Sequence, residues 1–190
     1  MPDRRELTET VISTRRIYDG RICALREDTV RLADGRTAKR EVVEHNDVVA
    51  IVAADDENRV LLVRQYRLAA QAVLLEVPAG IVDKGEDLEA AAQRELREET
   101  GYRADRLQRL TGFFVSPGFC TEFVHVFLAS GLSEDPIAAD EDEDIEVVHV
   151  PFAEALELVR RGEIKDGKSI VGLLLAAEML GVPVERHRQR

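Results

Sequence analysis

With 190 residues, 45% of them apolar and 33% charged, the chain is long enough for one globular domain with a proper core and a small appendage. Its formal net charge of −11 opposes the phosphates of nucleic acid, so nonspecific DNA or RNA binding is not expected, although arginines or bound cations can reverse the field around a small phosphate ligand. No run approaches the roughly 20 apolar residues of a membrane span, residues 1–6 lack the apolar core of a signal peptide, and Cys23 and Cys120 are too few for a disulfide framework or a zinc site; the expectation is a cytoplasmic protein with no membrane partner.

Turn chemistry and apolar periodicity set the predicted elements. Short β-type runs fall at 10–13, 21–25, 29–32 and 41–43, separated by turn signals such as Asp19-Gly20 and Asp34-Gly35. Residues 48–53 and 60–63 are apolar runs joined by Asp55-Asp56-Glu57-Asn58, a second hairpin, and 73–77 is a further strand ended by Pro78-Ala79-Gly80. The first helix is expected from Asp87 to Thr100, with Gly101 where a C-cap glycine belongs. Strands resume at 107–115 and 122–129, an acidic loop containing Pro136 covers 133–144, and 145–150 is the last strand. Pro151 opens a helix with the apolar stripe Phe152, Ala155, Leu156 and Val159. A final helix over 169–180 is apolar nearly all round, which predicts burial. The pattern is mixed α and β, without strict βαβ alternation and without an internal repeat.

The chemistry concentrates in residues 80–102. On a helix Glu95, Glu98 and Glu99 project from one side, and like charges at that spacing repel by a few tenths of a kcal/mol per pair, roughly. A divalent cation among the carboxylates removes that cost, since hard cations take oxygen ligands. Arg94 stands four residues before Glu98, suited to pair with it, and Glu86 in the preceding loop is able to fold back towards the helix start. A charged surface helix with i,i+4 pairs would explain the composition, but not Gly80, Glu86 and Gly101 at their offsets.

This stretch resembles the Nudix box, whose fixed positions are matched by Gly80, Glu86, Arg94, Glu95, Leu96, Glu98, Glu99 and Gly101, with Tyr102 a mild departure at the final apolar place. The resemblance implies an α/β/α sandwich with a mixed central sheet. It also implies a metal site made of Glu95, Glu98 and Glu99, the Ala79 carbonyl, and Glu86 as a weaker or outer ligand. Mg²⁺ is the expected ion, with Mn²⁺ or another divalent cation as the alternative.

Three features outside the box resemble the ADP-ribose pyrophosphatase branch of that superfamily. Pro117 lies fifteen residues past the box, within Ser116-Pro117-Gly118. The approach to the box reads Leu62-Val63-Arg64-Gln65-Tyr66-Arg67, then Leu75-Glu76-Val77-Pro78-Ala79-Gly80. The N-terminal segment pairs Tyr18-Asp19-Gly20-Arg21-Ile22 with Lys39-Arg40-Glu41-Val42-Val43-Glu44-His45. The branch implies Mg²⁺-dependent hydrolysis of ADP-ribose to AMP and ribose 5-phosphate. It implies a homodimer in which residues 1–45, an additional antiparallel β segment, are exchanged, with 46–190 as the hydrolase domain. Arg67 and Arg40 are candidates for phosphate or purine contacts. Arg21 or Ile22 would lie against the purine, and Glu41, Glu122 and Pro117 complete the substrate-binding set. A carboxylate outside the box would finish deprotonating the attacking water, and the resemblance favours Glu141, with Glu143 next.

Two alternatives remain open. The same chemistry could act on ADP-glucose, GDP-mannose or other nucleoside diphosphate sugars. A catalytically silent Nudix domain that binds a nucleotide as a regulator ranks lower, because Glu95, Glu98 and Glu99 are intact. His45, His125, His149 and His187 show no ligand spacing, so core or surface roles are expected.

Overall fold

A computed structural model describes residues 7–138 and 144–183. Two compact units share the chain, one formed by Met1–Asn46 with Phe114–Phe123, the other by Asp47–Phe113 with Val124–Arg190.

In the first unit β1 (Glu9–Asp19), β2 (Cys23–Leu32) and β3 (Thr37–His45) form an antiparallel sheet in that order. The runs expected at 21–25 and 29–32 are one continuous strand. Arg26, Glu27 and Asp28 interrupt the apolar pattern but not the ladder, because Asp28 finds partners within the sheet. Its carboxylate accepts from the Thr14 hydroxyl at 2.8 Å and from Arg26 Nε at 2.9 Å. β1 is exposed at all eleven residues, so it carries no inside–outside alternation and is longer than its apolar core at 10–13 suggests. Segment 114–123 joins β3 through Val43 N–H to Phe119 O (2.7 Å) and Thr121 N–H to Val43 O (3.0 Å).

The second unit is built on a mixed seven-stranded sheet. Its strands are β4 (Val48–Ala54), β5 (Arg59–Arg67), β6 (Ala72–Glu76), β7 (Ala79–Ile81), β8 (Tyr102–Phe114), β9 (Phe123–Glu134) and β10 (Ile145–Pro151). The path runs β10-β5-β4-β9-β8, with β6 on β5 and β7 on β4. β4 and β9 are parallel, whereas β4–β5, β4–β7, β5–β6 and β5–β10 are antiparallel. β4 is buried on both faces, which is why it reads as an unbroken apolar run. Val49, Ile51 and Ala53 pack in one cluster with Ala91, Ala92 and Leu96 of α1 (Leu88–Thr100). Val48, Ala50 and Val52 pack in another with Phe152, Ala155 and Leu156 of α2 (Phe152–Arg160) and Leu173, Ala176 and Ala177 of α3 (Gly167–Leu180). Helices therefore cover both faces of the mixed sheet, the α/β/α sandwich that the resemblance implied, and the three-stranded antiparallel sheet is a separate unit.

β6 ends at Glu76, ahead of Pro78, as expected. Three features differ from expectation. Past the proline, whose carbonyl accepts from Ile51 N–H at 2.8 Å, Ala79–Ile81 form a further short strand paired with β4. β8 begins at Tyr102, directly after Gly101, because its polar first half hides the strand from an apolar search. α3 buries one stripe, Ser169, Gly172, Leu173, Ala176 and Ala177, while Leu174, Met179 and Leu180 on the rest of its surface are exposed. Its apolar composition exceeds what the second unit covers. No helix among the described residues is long and apolar enough to cross a membrane.

Candidate active site

The box folds as the loop 82–87 leading into α1. Asp87 caps the helix, its carboxylate accepting from Glu89 N–H (2.9 Å) and Ala90 N–H (3.2 Å), which satisfies two of the donors left open in the first turn. Gly101 closes it at φ 77°, the left-handed conformation that favours glycine at this place. Between the caps, Ala91, Ala92 and Leu96 face the sheet and fix the rotation of the helix about its axis. That rotation carries Glu95 and Glu99 to the edge of the core, 9% and 7% exposed. A Cβ added to Gly80 would fall on the Glu95 carboxylate, so the first position of the box is glycine because the carboxylate lies against its backbone. Ala79 N–H donates to Glu99 Oε2 at 3.0 Å, tying the short strand β7 to the helix.

Arg94 sits among the acids. Its Nε and Nη2 form a fork on Glu86 (both 2.9 Å), its Nη1 donates to Glu95 Oε1 (2.7 Å) and Glu98 Oε2 (2.9 Å), and its Nη2 also reaches Ile81 O (3.0 Å). The i,i+4 pair expected with Glu98 is present, and two further carboxylates join it. The Glu86 pairing, opposed by burial and aided by the charge of Glu95, binds the guanidinium proton even more tightly than usual. Reciprocally, the Arg94 fork, against the cost of burial and with help from Asp83 N–H (3.0 Å), holds the Glu86 carboxyl below its usual range. Among the described residues no three acidic, histidine or cysteine side chains already stand as a metal-holding cluster. Arg94 offsets the box carboxylates only in part, one positive charge shared by three acids. The donor set still fits a hard divalent cation: all its side-chain donors are oxygens, two of the carboxylates are largely buried, and one lies against a glycine backbone that leaves no room for a Cβ. Ala79, Glu86, Glu95, Glu98 and Glu99 are thus gathered in one place.

Arg67, at the end of β5, belongs to a second network in the same unit. Its Nε and Nη2 donate to Glu76 Oε1 and Oε2, both at 2.9 Å. Lys168 Nζ donates to the same Glu76 Oε2 (2.6 Å) and pairs with Asp166 (3.0 Å), the N-cap of α3. Asp166 Oδ2 accepts from both Ser169 N–H (2.9 Å) and the Ser169 hydroxyl (2.5 Å), and Ser169 Oγ accepts from Val77 N–H (2.8 Å). Burial pushes the Glu76 carboxyl up, but Arg67 and Lys168 outweigh it and hold the group below its usual range. The Arg67 proton is held tightly first by Glu76, and the field of Glu99 adds to that. Sequence reasoning missed Glu76, Asp166, Lys168 and Ser169 as partners. The available signal was Glu76 itself, an acid inside the apolar run Val73–Val77.

The remaining candidates belong to the first unit or fall outside the described residues. In the first unit Arg40 donates to Glu9 (2.5 and 3.0 Å), and Arg21, Ile22 and Glu41 are exposed. Pro117 is exposed in a turn closed by Phe119 N–H to Ser116 O (3.1 Å), and Glu122 is half-buried at its end. Glu141 and Glu143 lie outside the described residues. His125, 8% exposed in the second unit, is held between Asp47 Oδ2 (2.8 Å from Nε2) and Arg109 Nη2 (3.1 Å from Nδ1). Because a guanidinium only donates, Nδ1 accepts and the Nε2 proton goes to Asp47; this is a core role, in line with expectation.

Comparison with known proteins agrees with the geometry. The NUDIX domain family matches residues 44–170, and the family described as the nucleoside diphosphate sugar hydrolase N-terminal domain matches residues 9–43. The chain is 42% identical to the ADP-ribose pyrophosphatase of Bacillus subtilis (strain 168), over 87% of this chain and 90% of that one. It is 45% identical to the ADP-ribose pyrophosphatase of Mycobacterium tuberculosis (strain ATCC 25618 / H37Rv), over 86% and 80%. A crystal structure of an ADP compounds hydrolase superposes with a TM-score of 0.84 at 24% identity, covering 93% of this chain and 96% of the other, a likeness of fold. With its Nudix domain over two thirds of its length and a nucleoside diphosphate sugar hydrolase N-terminal domain ahead of it, the chain belongs to the Nudix family and is a hydrolase.

Proposed function

We propose that the protein hydrolyses the pyrophosphate bond of ADP-ribose to AMP and ribose 5-phosphate, using Mg²⁺ held by Glu95, Glu98, Glu99 and the Ala79 carbonyl with Glu86 outside them. The observation that carries this reading is the glycine-backed carboxylate cluster: Glu95 against Gly80, Glu99 on Ala79 N–H, and Glu86 and Glu98 drawn in by Arg94. Bound there, a divalent cation neutralises the pyrophosphate and makes a water more acidic. The protein's own contribution is to hold the carboxylates in place through Arg94, Ala79 N–H and the seating of α1 on the sheet, and to offer Arg67 to the substrate's phosphates. Glu141, with Glu143 as the alternative, takes the proton of the attacking water. Arg21, Ile22, Arg40, Glu41, Pro117 and Glu122 serve as substrate contacts, a role supported by the family resemblance and by the names of the relatives.

Residues 1–45 are proposed to exchange between two copies in a homodimer. β1, exposed at every residue and carrying Val11, Ile12, Ile17 and Tyr18, supports this reading. The cytoplasm is the proposed compartment.

The test is AMP release from ADP-ribose with Mg²⁺, for wild type, Glu99→Gln and Glu141→Gln. Both variants are expected to fall by about 100-fold or more while remaining folded. Loss in Glu99→Gln alone moves the base to Glu143. A wild type inert towards ADP-ribose but active on ADP-glucose or GDP-mannose overturns the substrate and keeps the chemistry.

A further inference from the structure

Glu76 is 1% exposed, yet it accepts from two cations, Arg67 of its own hairpin and Lys168 from 92 residues away. The register of the β5–β6 hairpin, Val63 opposite Glu76 and Arg67 opposite Ala72, puts Arg67 and Glu76 on one face of that hairpin, with Arg67 reaching back along it. Such a long side chain loses considerable rotamer freedom when it is fixed, so something must make one geometry preferred. The Arg67 fork commits Nε and Nη2 to Glu76 and, among the described residues, leaves the Nη1 edge for an anion. The fork is only as rigid as the carboxylate it grips. Lys168 supplies that rigidity: Val77 N–H bonded to Ser169 Oγ clamps the first turn of α3 to the end of β6, and the clamp brings Lys168 Nζ onto Glu76 Oε2.

Lys168 also sets the local charge. Together Arg67 and Lys168 balance Glu76 and Asp166. Without Lys168, one cation would face two carboxylates, Arg67 would be drawn inward between them, and the surroundings would repel a phosphate.

We propose that Lys168 is a positioning residue that acts through Glu76 to hold the Arg67 guanidinium ready for an anionic phosphate of the substrate. The inference rests on the reading that Arg67 touches the substrate's phosphates.

The experiment is a double-mutant cycle in kcat and KM for AMP release from ADP-ribose with Mg²⁺. It compares wild type, Lys168→Met, Arg67→Ala and the double variant, with Lys168→Arg as the rescue and thermal unfolding as the check on folding. Lys168→Met is expected to raise KM about tenfold with little change in kcat, a size typical of coupling within one ion-pair network. Lys168→Arg should recover most of that loss. In the Arg67→Ala background Lys168→Met should cost nothing further, because the group it positions is gone.

Full additivity of the two losses overturns the proposal, since Lys168 would then act on its own, on substrate or on the fold. An unchanged KM in Lys168→Met beside a raised KM in Arg67→Ala overturns it too, and leaves the Arg67 contact standing. An unchanged KM in Arg67→Ala removes both the contact and the proposal. If Lys168→Met does not fold, Lys168→Gln, which keeps a donor without the charge, takes its place in the cycle. If wild type leaves ADP-ribose intact, the same cycle on the nucleoside diphosphate sugar it does cleave separates this proposal from the choice of substrate.

Discussion

The second unit contains two arginine–carboxylate networks that look alike on paper and are built in opposite ways. Arg94 gathers Glu86, Glu95 and Glu98 from within thirteen residues of chain, most of them on its own helix. Arg67 meets Glu76 within the β5–β6 hairpin but shares it with Lys168, which lies 92 residues beyond Glu76 and is brought to it by the docking of the first turn of α3. In the first network acids outnumber the cation, so it has room for more positive charge. In the second, cations and acids balance, so it is complete as it stands. A site meant to take up a divalent cation should look like the first, and a site meant to hold one side chain still should look like the second.

The sharpest way to break that comparison is to remove each arginine and add metal. Arg94→Met strips the cation from three carboxylates, and unfolding in metal-free buffer should become easier by about 3 kcal/mol, the lower end for a broken, largely buried pair. Mg²⁺ at roughly 100 times its Kd should return about 2–3 kcal/mol, and the gain should exceed that of wild type because Arg94 no longer competes for the acids. Arg67→Met should gain from Mg²⁺ no more than wild type does. Denaturant unfolding with and without Mg²⁺ checks both, and equal gains in the two variants would dissolve the distinction.

A smaller effect comes from acid. Glu76 is held below its ordinary value of 4.5, so its contribution to stability is fully present above that pH and fades as the pH falls through the lower folded value. Glu76→Gln should therefore lie well below wild type in Tm at pH 7, and the gap should narrow progressively below pH 4.5. A gap that stays constant down to pH 3 would mean that shape rather than charge is what Glu76 contributes, and the balance argued for the second network would fail.

The same contrast explains what was legible in the sequence. The Arg94 network is local, and helical geometry turns the spacing of Glu95, Glu98 and Glu99 into a common face without knowledge of the rest of the fold. Gly80 was legible as a fixed position, although its reason, the Glu95 carboxylate resting on its backbone, needs coordinates. The central strand β4 was legible because double-sided burial leaves an apolar run. β1, β7 and the first half of β8 were partly or wholly missed because their pairing is specified by neighbours rather than by side-chain alternation. Lys168 and Asp166 were illegible as partners of Glu76 for a stronger reason. Nothing in their own neighbourhood of sequence marks them, and only the docking of α3 on the sheet, tight enough that a Cβ at Gly172 would come within 2.9 Å of Val52, brings them there.

The finest test of the comparison lies in the two helix caps. Asp87 and Asp166 each open a helix of the second unit and accept from its backbone donors, but among the described residues the Asp87 side chain bonds only to its own helix, whereas Asp166 also holds Ser169 Oγ and Lys168. Asp87→Ala should cost about 1 kcal/mol, the ordinary value of a cap, with KM unchanged, because Leu96, Ala91 and Ala92 still seat α1 on the sheet. Asp166→Ala removes a cap of the same kind and also loosens the residue that steadies Glu76, so its loss of stability should be larger and should come with a raised KM. Tm and KM measured on the two variants decide the matter. Matching behaviour would mean that the first turn of α3 merely ends a helix, and that the buried network around Glu76 stands without it.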